Sequence, residues 1–169
     1  AFPRDAKQAA AIIQAAAQAG VSVIPRGAGT GLVGGAIGEG VVVDFARFNR
    51  LITDLDVEQR TVRVGAGVVL DQLNHFLRPE GLAFGPDVAT SSRATLGGMI
   101  ANDSSGARAP IYGTTISHVQ SIEAVMADGA VAELRPGALP RVMEPLDRLI
   151  NGQAREIRER FHDGICKRW

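Results

Sequence analysis

PRGAGTGLVGG, from Pro25 to Gly35, sets five glycines and a threonine directly behind a short apolar strand, VSVIP. Such a run fills no core and makes no regular helix or strand. Glycine lets the backbone pass through positive φ and lets N–H groups converge without Cβ obstruction, the geometry that cradles phosphate oxygens. Thr30 adds a hydroxyl and Arg26 a positive charge, so the run reads as a loop around the pyrophosphate of a dinucleotide. Gly29, Gly31 and Gly34 satisfy G-x-G-x-x-G by spacing. That fingerprint must open a helix whose N-terminus faces the phosphates. Here AIGEG is too short and glycine-rich for such a helix, and VVVDF after it reads as a buried strand. The Walker pattern fails too, because it needs lysine and then Ser or Thr after its last glycine, and the run holds no lysine. The loop therefore runs from strand to strand and builds its anion site from backbone N–H groups.

A second stretch, Gly85 to Thr115, is dense in glycine and small polar residues: GPDVATSSRATLGGMIANDSSGARAPIYGTT. Long stretches without regular structure are uncommon in compact domains and tend to be functional. ATLGGMIAN is expected to supply a short helix, with Gly97 and Gly98 letting a flat ligand approach the backbone.

Composition narrows the function classes. The 169 residues are 46% hydrophobic, enough for one compact domain with a core. Eighteen basic and 18 acidic residues cancel without a basic block, which argues against strong nucleic-acid binding. Only 5% are aromatic, so a flat ligand would be held by backbone and aliphatic groups more than by stacking. A single cysteine, Cys166, excludes an internal disulfide and a multi-cysteine metal site in this segment. No run reaches membrane-spanning length and no signal peptide opens the chain. The start at Ala1 and the stop at CKRW suggest a fragment of a longer protein.

Helices and strands alternate along the chain. Asp5 with Gln8 forms a capping box opening an alanine-rich helix that ends at Gly20, with Ala9, Ile13 and Ala16 on one face. Strands VSVIP, VVVDF and TVRVGAG are separated by the glycine loop and by a turn-like DLDVEQR. Leu70, Leu73, Phe76 and Leu77 have helical spacing that stops near Pro79 and Gly81. Asp128-Gly129 between apolar segments signals a hairpin. From Arg141 on, Val142, Leu146, Leu149, Ile150, Ile157 and Phe161 mark amphipathic helix interrupted at Gly152. His75 and His162 read as solvated, and His118 as structural beside a possible cofactor edge. No pair of histidines has metal-ligand spacing, and no metal is expected.

The order and separation of the two glycine-rich segments resemble the PCMH-type FAD-binding domain of the vanillyl-alcohol oxidase superfamily. Within it, the likeness is to the FAD-linked D-2-hydroxyacid dehydrogenases: the D-lactate dehydrogenase, glycolate oxidase GlcD-subunit and D-2-hydroxyglutarate dehydrogenase group. Pro25 to Gly35 match the group's first motif; Pro86, Asp87, Ala94 to Ala101, Ser105-Gly106 and Tyr112-Gly113 match the second. Asn102-Asp103 stands where that group has a pair of small polar residues. The resemblance spans about Phe2 to Leu134 and implies an α+β fold of two lobes clasping FAD. Lobe one, about 1–58, would be βαβ-like; lobe two, about 59–140, would be richer in antiparallel strands. Residues 141–169 would lead toward a substrate domain.

The resemblance also implies roles. Pro25, Arg26, Gly27, Ala28, Gly29, Thr30, Gly31 and Leu32 would surround the pyrophosphate, although Arg26 can equally ion-pair with Asp44 or Asp87. Pro86, Ala89, Ser92 and Arg93 would approach the flavin. Gly97, Gly98, Asn102, Ser105 and Gly106 would line its ribityl and phosphate portion, and the Ile122 backbone would meet adenine. FAD would be non-covalent, because Thr30 occupies about the place where covalent relatives carry histidine. The implied reaction is flavin-dependent oxidation of a 2-hydroxy acid, of D-lactate or glycolate type, to the 2-oxo acid. No catalytic residue is assignable, since the group's base, carboxylate clamp and any metal ligands belong to the substrate domain. The implied location is cytoplasmic or peripheral to the inner face of a membrane. Two alternatives stay open: the FAD domain of a MurB-like reductase, and a non-redox nucleotide-binding module.

Overall fold

The computed structural model describes the chain from Ala1 to Ile165, with side chains except those of 140–142 and 162–165. Cys166 and Trp169, and the side chains of Val142 and His162, lie outside the described set. Helix α1, Ala6–Gln18, starts as its cap residue dictates: the Asp5 carboxylate accepts from the Gln8 N–H at 2.8 Å. The reciprocal bond of the expected capping box goes one residue further back, from the Arg4 N–H to Gln8 Oε1 at 2.9 Å. Ala9 and Ala16 are its buried positions, and Gly20, at φ +64°, ends the turn that follows it.

Strands β1, Val23–Arg26, and β2, Val41–Asp44, pair in parallel from Val23↔Val41 to Arg26↔Asp44. No helix crosses between them; the glycine loop makes the connection. Ala1 extends the β2 side, its amino group donating to Val42 O at 2.6 Å and its carbonyl accepting from the Asp44 N–H at 2.9 Å.

Strands β3, Ile52–Asp56, and β4, Thr61–Val64, are antiparallel, with a register shift between Thr53 and Asp56. The stretch expected as a turn from Asp54 to Arg60 is thus strand in its first three residues. Asp54, at φ +52°, absorbs the irregularity, which leaves Leu55 packed against the core. Asp56 Oδ1 accepts from the Gln59 N–H at 2.8 Å and closes the shortened turn.

The main core lies under this hairpin. Leu70, Leu73 and Leu77 of α2, Leu70–Leu77, meet Ala94 and then Leu96 and Met99 of α3, Leu96–Ala101, with Val68 between. A 3₁₀ turn, Arg78–Glu80, and Gly81 in the left-handed region stop α2 where Pro79 and Gly81 predict. The second glycine-rich segment carries α3, a short helix α4, Ala109–Tyr112, and a 3₁₀ turn, Thr115–His118. Strands β5, Ile122–Val125, and β6, Val131–Leu134, form a third two-stranded sheet around Asp128-Gly129, with Asp128 Oδ1 accepting from the Ala130 N–H at 2.9 Å. The fold is α+β.

Residues 1–132 form one compact unit, and the chain from Glu133 onward forms another. The second holds α5, Pro140–Gly152, and α6, Ala154–Ile165, separated at Gln153 next to the expected interruption. Leu146, Leu149, Ile150 and Phe161 are exposed on these helices. No described helix is long and apolar enough to cross a membrane.

Candidate functional site

The glycine loop leaves β1 at Arg26, and its backbone is free. From Gly27 through Ala36, no N–H donates to a protein acceptor among the described residues; the first that does is Ile37, to Gly34 O at 3.0 Å. Ten consecutive donors facing no protein oxygen must be met by solvent or by a ligand. Gly29 turns the chain at φ +67°, a conformation side-chain-bearing residues rarely hold. The Arg26 guanidinium lies beneath that turn, with Nε 3.6 Å from where a Cβ on Gly29 would sit. It also faces Asp44 at 3.9 Å, a long and half-exposed pair that costs little to rearrange. Ala28 and Thr30 are half-buried, whereas Gly31 is exposed and Leu32 fully in solvent.

The base of the loop touches the second segment. Gly27 sits so close to Thr95 that a Cβ would collide with Thr95 Oγ1, and the Gly98 Cα is 3.8 Å from the same point. The fold therefore brings Gly27, Thr95, Gly97 and Gly98 together at the start of α3. Thr95 is 2% exposed, and its hydroxyl has no hydrogen-bond partner among the described residues, although it is the cap residue of α3. A buried hydroxyl without a partner is costly and calls for explanation. Thr95 lies within the Ala94 to Ala101 motif match but is not among the residues to which the resemblance gives a role.

Other members of the second segment are placed by their own internal bonds. Asp87 Oδ2 accepts from Arg108 Nε at 2.7 Å, and Gly106 packs so closely on the Asp87 carbonyl and carboxylate that a Cβ has no room. The Arg108 guanidinium beside it holds the Asp87 carboxyl below its ordinary range, and the carboxylate raises Arg108 in turn. This pairing takes Asp87 away from Arg26. The N–H groups of Ser105, Gly106 and Ala107 have no protein acceptor among the described residues, which makes a second short row of free donors. Asn102 Nδ2 donates to Gly98 O at 2.8 Å and so closes α3. Asp103, at φ +45°, accepts from Thr114 Oγ1 and the Ile116 N–H.

Pro86 is fully buried, while Ala89, Ser92 and Arg93 are exposed on the turn before α3. Ile122 opens β5 and is half-buried. His118, read as structural from its lone position, has Nε2 at 2.7 Å from the Tyr112 carbonyl and its ring 5.3 Å from Phe84. His75 is exposed in the last turn of α2.

The profile of a family described as an FAD binding domain matches residues 1–135. This chain belongs to that family. A D-2-hydroxyglutarate dehydrogenase of Pantoea ananatis is 45% identical over 138 residues, 80% of this chain and 14% of that protein. A D-lactate dehydrogenase of Archaeoglobus fulgidus is 40% identical over 131 residues, 76% of this chain and 29% of the relative. Among solved structures, 6-hydroxy-D-nicotine oxidase from Arthrobacter nicotinovorans superposes with a TM-score of 0.73 at 23% identity, over 84% of this chain and 31% of that one, a likeness of fold. The FAD-binding domain thus spans a small part of the length of the curated relatives it matches.

The residues present fit FAD. Two rows of unpaired N–H groups and an orphaned buried hydroxyl are the donors that a diphosphate and its attached ribose and ribityl oxygens would take. The nearby cation, Arg26, has the sign such a group requires.

Proposed function

We propose that this chain holds FAD non-covalently as the cofactor domain of an oxidoreductase acting on a D-2-hydroxy acid, with 2-hydroxyglutarate, the acid named in the Pantoea relative, as the first candidate substrate. The observation that carries the reading is the row of ten free N–H groups in a loop of an FAD-binding domain.

In this reading Gly27 to Leu32 donate to the pyrophosphate and Thr30 adds its hydroxyl. Arg26 screens the double negative charge from below. Gly97, Gly98, Ser105 and Gly106 present backbone to the ribityl and phosphate portion, while Ala89, Ser92 and Arg93 face the flavin. Lobes of about 1–58 and 59–140 clasp the cofactor, and 141–169 lead toward the part of the protein that handles substrate. Bound FAD would supply the two-electron acceptor for converting the 2-hydroxy acid to a 2-oxo acid. The chain's own part is to orient the cofactor and to neutralise its charge. The proton acceptor and the carboxylate clamp belong, in this proposal, to residues beyond this segment.

Titrating the 169-residue chain with FAD and following flavin fluorescence tests the reading. Saturable quenching, with all flavin released into the supernatant after acid precipitation, is expected. A chain that takes up no FAD overturns the proposal, and colour retained in the washed pellet overturns its non-covalent part.

A further inference from the structure

We propose that Asn49 is a positioning residue that sets the spacing of the cofactor cradle from behind, an inference resting on the FAD-binding role proposed above. Asn49 follows β2, and neither glycine-rich segment includes it. It nonetheless joins three stretches of chain. Its Nδ2 donates to Arg4 O at 3.2 Å, its Oδ1 accepts from the Ala66 N–H at 2.8 Å, its carbonyl accepts from the Gly67 N–H at 2.8 Å, and its own N–H donates to Phe45 O at 3.3 Å. Gly65 and Gly67 press against it: a Cβ on Gly65 would lie 2.5 Å from Asn49 Oδ1, and one on Gly67 would lie 2.8 Å from Asn49 O.

What Asn49 grips is the seat of α3. Ala66 is held on its N–H side by Asn49 and on its carbonyl side by the Gly97 N–H at 2.9 Å. The fit between the two is tight, since a Cβ on Gly97 would come within 2.8 Å of the Ala66 Cβ. Gly97 lies in the same first turn as Thr95 and Gly98, the pair that meets Gly27 at the base of the phosphate loop. A contiguous path therefore runs from Asn49 through Ala66 and Gly97 to the point where the two glycine segments touch. Displacing the Ala66 peptide shifts α3 against β1, and with it the point where Gly27 meets Thr95 and Gly98. A fraction of an ångström matters, because hydrogen bonds to an anion weaken steeply with misalignment.

The acceptor on Asn49 is the decisive atom. Alanine removes it and strands the half-buried Ala66 N–H; aspartate keeps an oxygen in the same place while surrendering the donor to Arg4 O. The test is FAD binding at a temperature where far-UV circular dichroism shows each variant folded, together with the visible circular dichroism of the bound flavin, which reports the asymmetry of its surroundings. Asn49→Ala should raise the Kd at least tenfold and alter the visible band. Asn49→Asp should bind within threefold of the unsubstituted chain with the same band.

Asn49→Ala binding within twofold, or Asn49→Asp losing as much as alanine does, overturns the inference. If Asn49→Ala does not fold, Asn49→Asp decides alone, and a tenfold loss in that variant is the contrary result. Failure of the unsubstituted chain to bind FAD would instead sink the functional reading, so the two failures are told apart.

Discussion

The two glycine-rich segments have similar composition and opposite physics. From Gly27 to Ala36 the chain is a free strap: its N–H groups have no protein acceptor among the described residues, nothing stands within 4 Å of a Cβ placed on Gly31, Gly34 or Gly35, and Leu32 and Val33 are 101% and 89% exposed. From Gly85 to His118 the chain is stapled to itself, by Asp87 to Arg108, by Asp103 to Thr114 and Ile116, and by His118 to the Tyr112 carbonyl. Glycine in the first segment leaves a long row of donors uncovered. In the second it also lets backbone press on backbone, as Gly106 does on Asp87. In the proposed reading the first segment supplies most of the donors to the anion, and the second supplies a shorter row, Ser105 to Ala107, on a more firmly held wall.

Substitutions should separate these roles. The largest effect is expected at Gly106→Val, where the added carbons meet the Asp87 backbone as well as its carboxylate, so that moving the side chain alone makes no room. Overpacking of this kind costs about 3 kcal/mol of stability, read as a lowered Tm without any cofactor present. A Tm equal to that of the unsubstituted chain would mean that the second segment is no tighter than the first.

Gly29→Val should act on the ligand more than on the fold. Valine resists φ +67°, and the resulting strain or rearrangement should weaken FAD binding by about 2 kcal/mol in a fluorescence titration. Unchanged affinity would take the turn out of the site.

Acid should discriminate between the segments as well. Asp87 has its pKa depressed by Arg108, so the pair's stabilisation is complete above the ordinary carboxylate pKa and is lost as pH falls through the lower, folded value. Asp87→Asn should therefore lower Tm at neutral pH and flatten its fall below pH about 4, a trend that thermal melts across pH would reveal.

The smallest effect is expected at Gly31→Ala. Its φ is not in the left-handed region and the added methyl meets open space, so Tm should move by less than the equivalent of about 0.5 kcal/mol.

Much of this was legible in the sequence because local chemistry decided it. Asp5 capped α1, Pro79 and Gly81 stopped α2, Asp128-Gly129 made a hairpin, and the short, glycine-rich AIGEG after Gly35 kept the first loop running from strand to strand. The parts that were not legible depend on partners distant in sequence. Nothing around Asp54 announces a register shift, because the shift exists to seat Leu55 on a core that α2 and α3 supply. Asn49 carries no motif, and Thr95, though it lies within the Ala94 to Ala101 match, carries no assigned role in it. Their importance is visible only when Gly27 is seen against the start of α3 and Ala66 is seen held from both sides. Arg26 could have paired with either of two aspartates, and Arg108, more than 20 residues along from Asp87, settled which one was available.

The central claim is that the free backbone donors of the first glycine segment hold the cofactor's phosphates. Amide hydrogen exchange of the chain, measured with and without saturating FAD, addresses those donors directly. Exchange at Gly27 to Leu32 should be fast in the free chain and slow markedly on FAD binding, with a smaller change at Ser105 to Ala107 and little change along α2. Bound FAD with unprotected exchange from Gly27 to Leu32 would contradict the account.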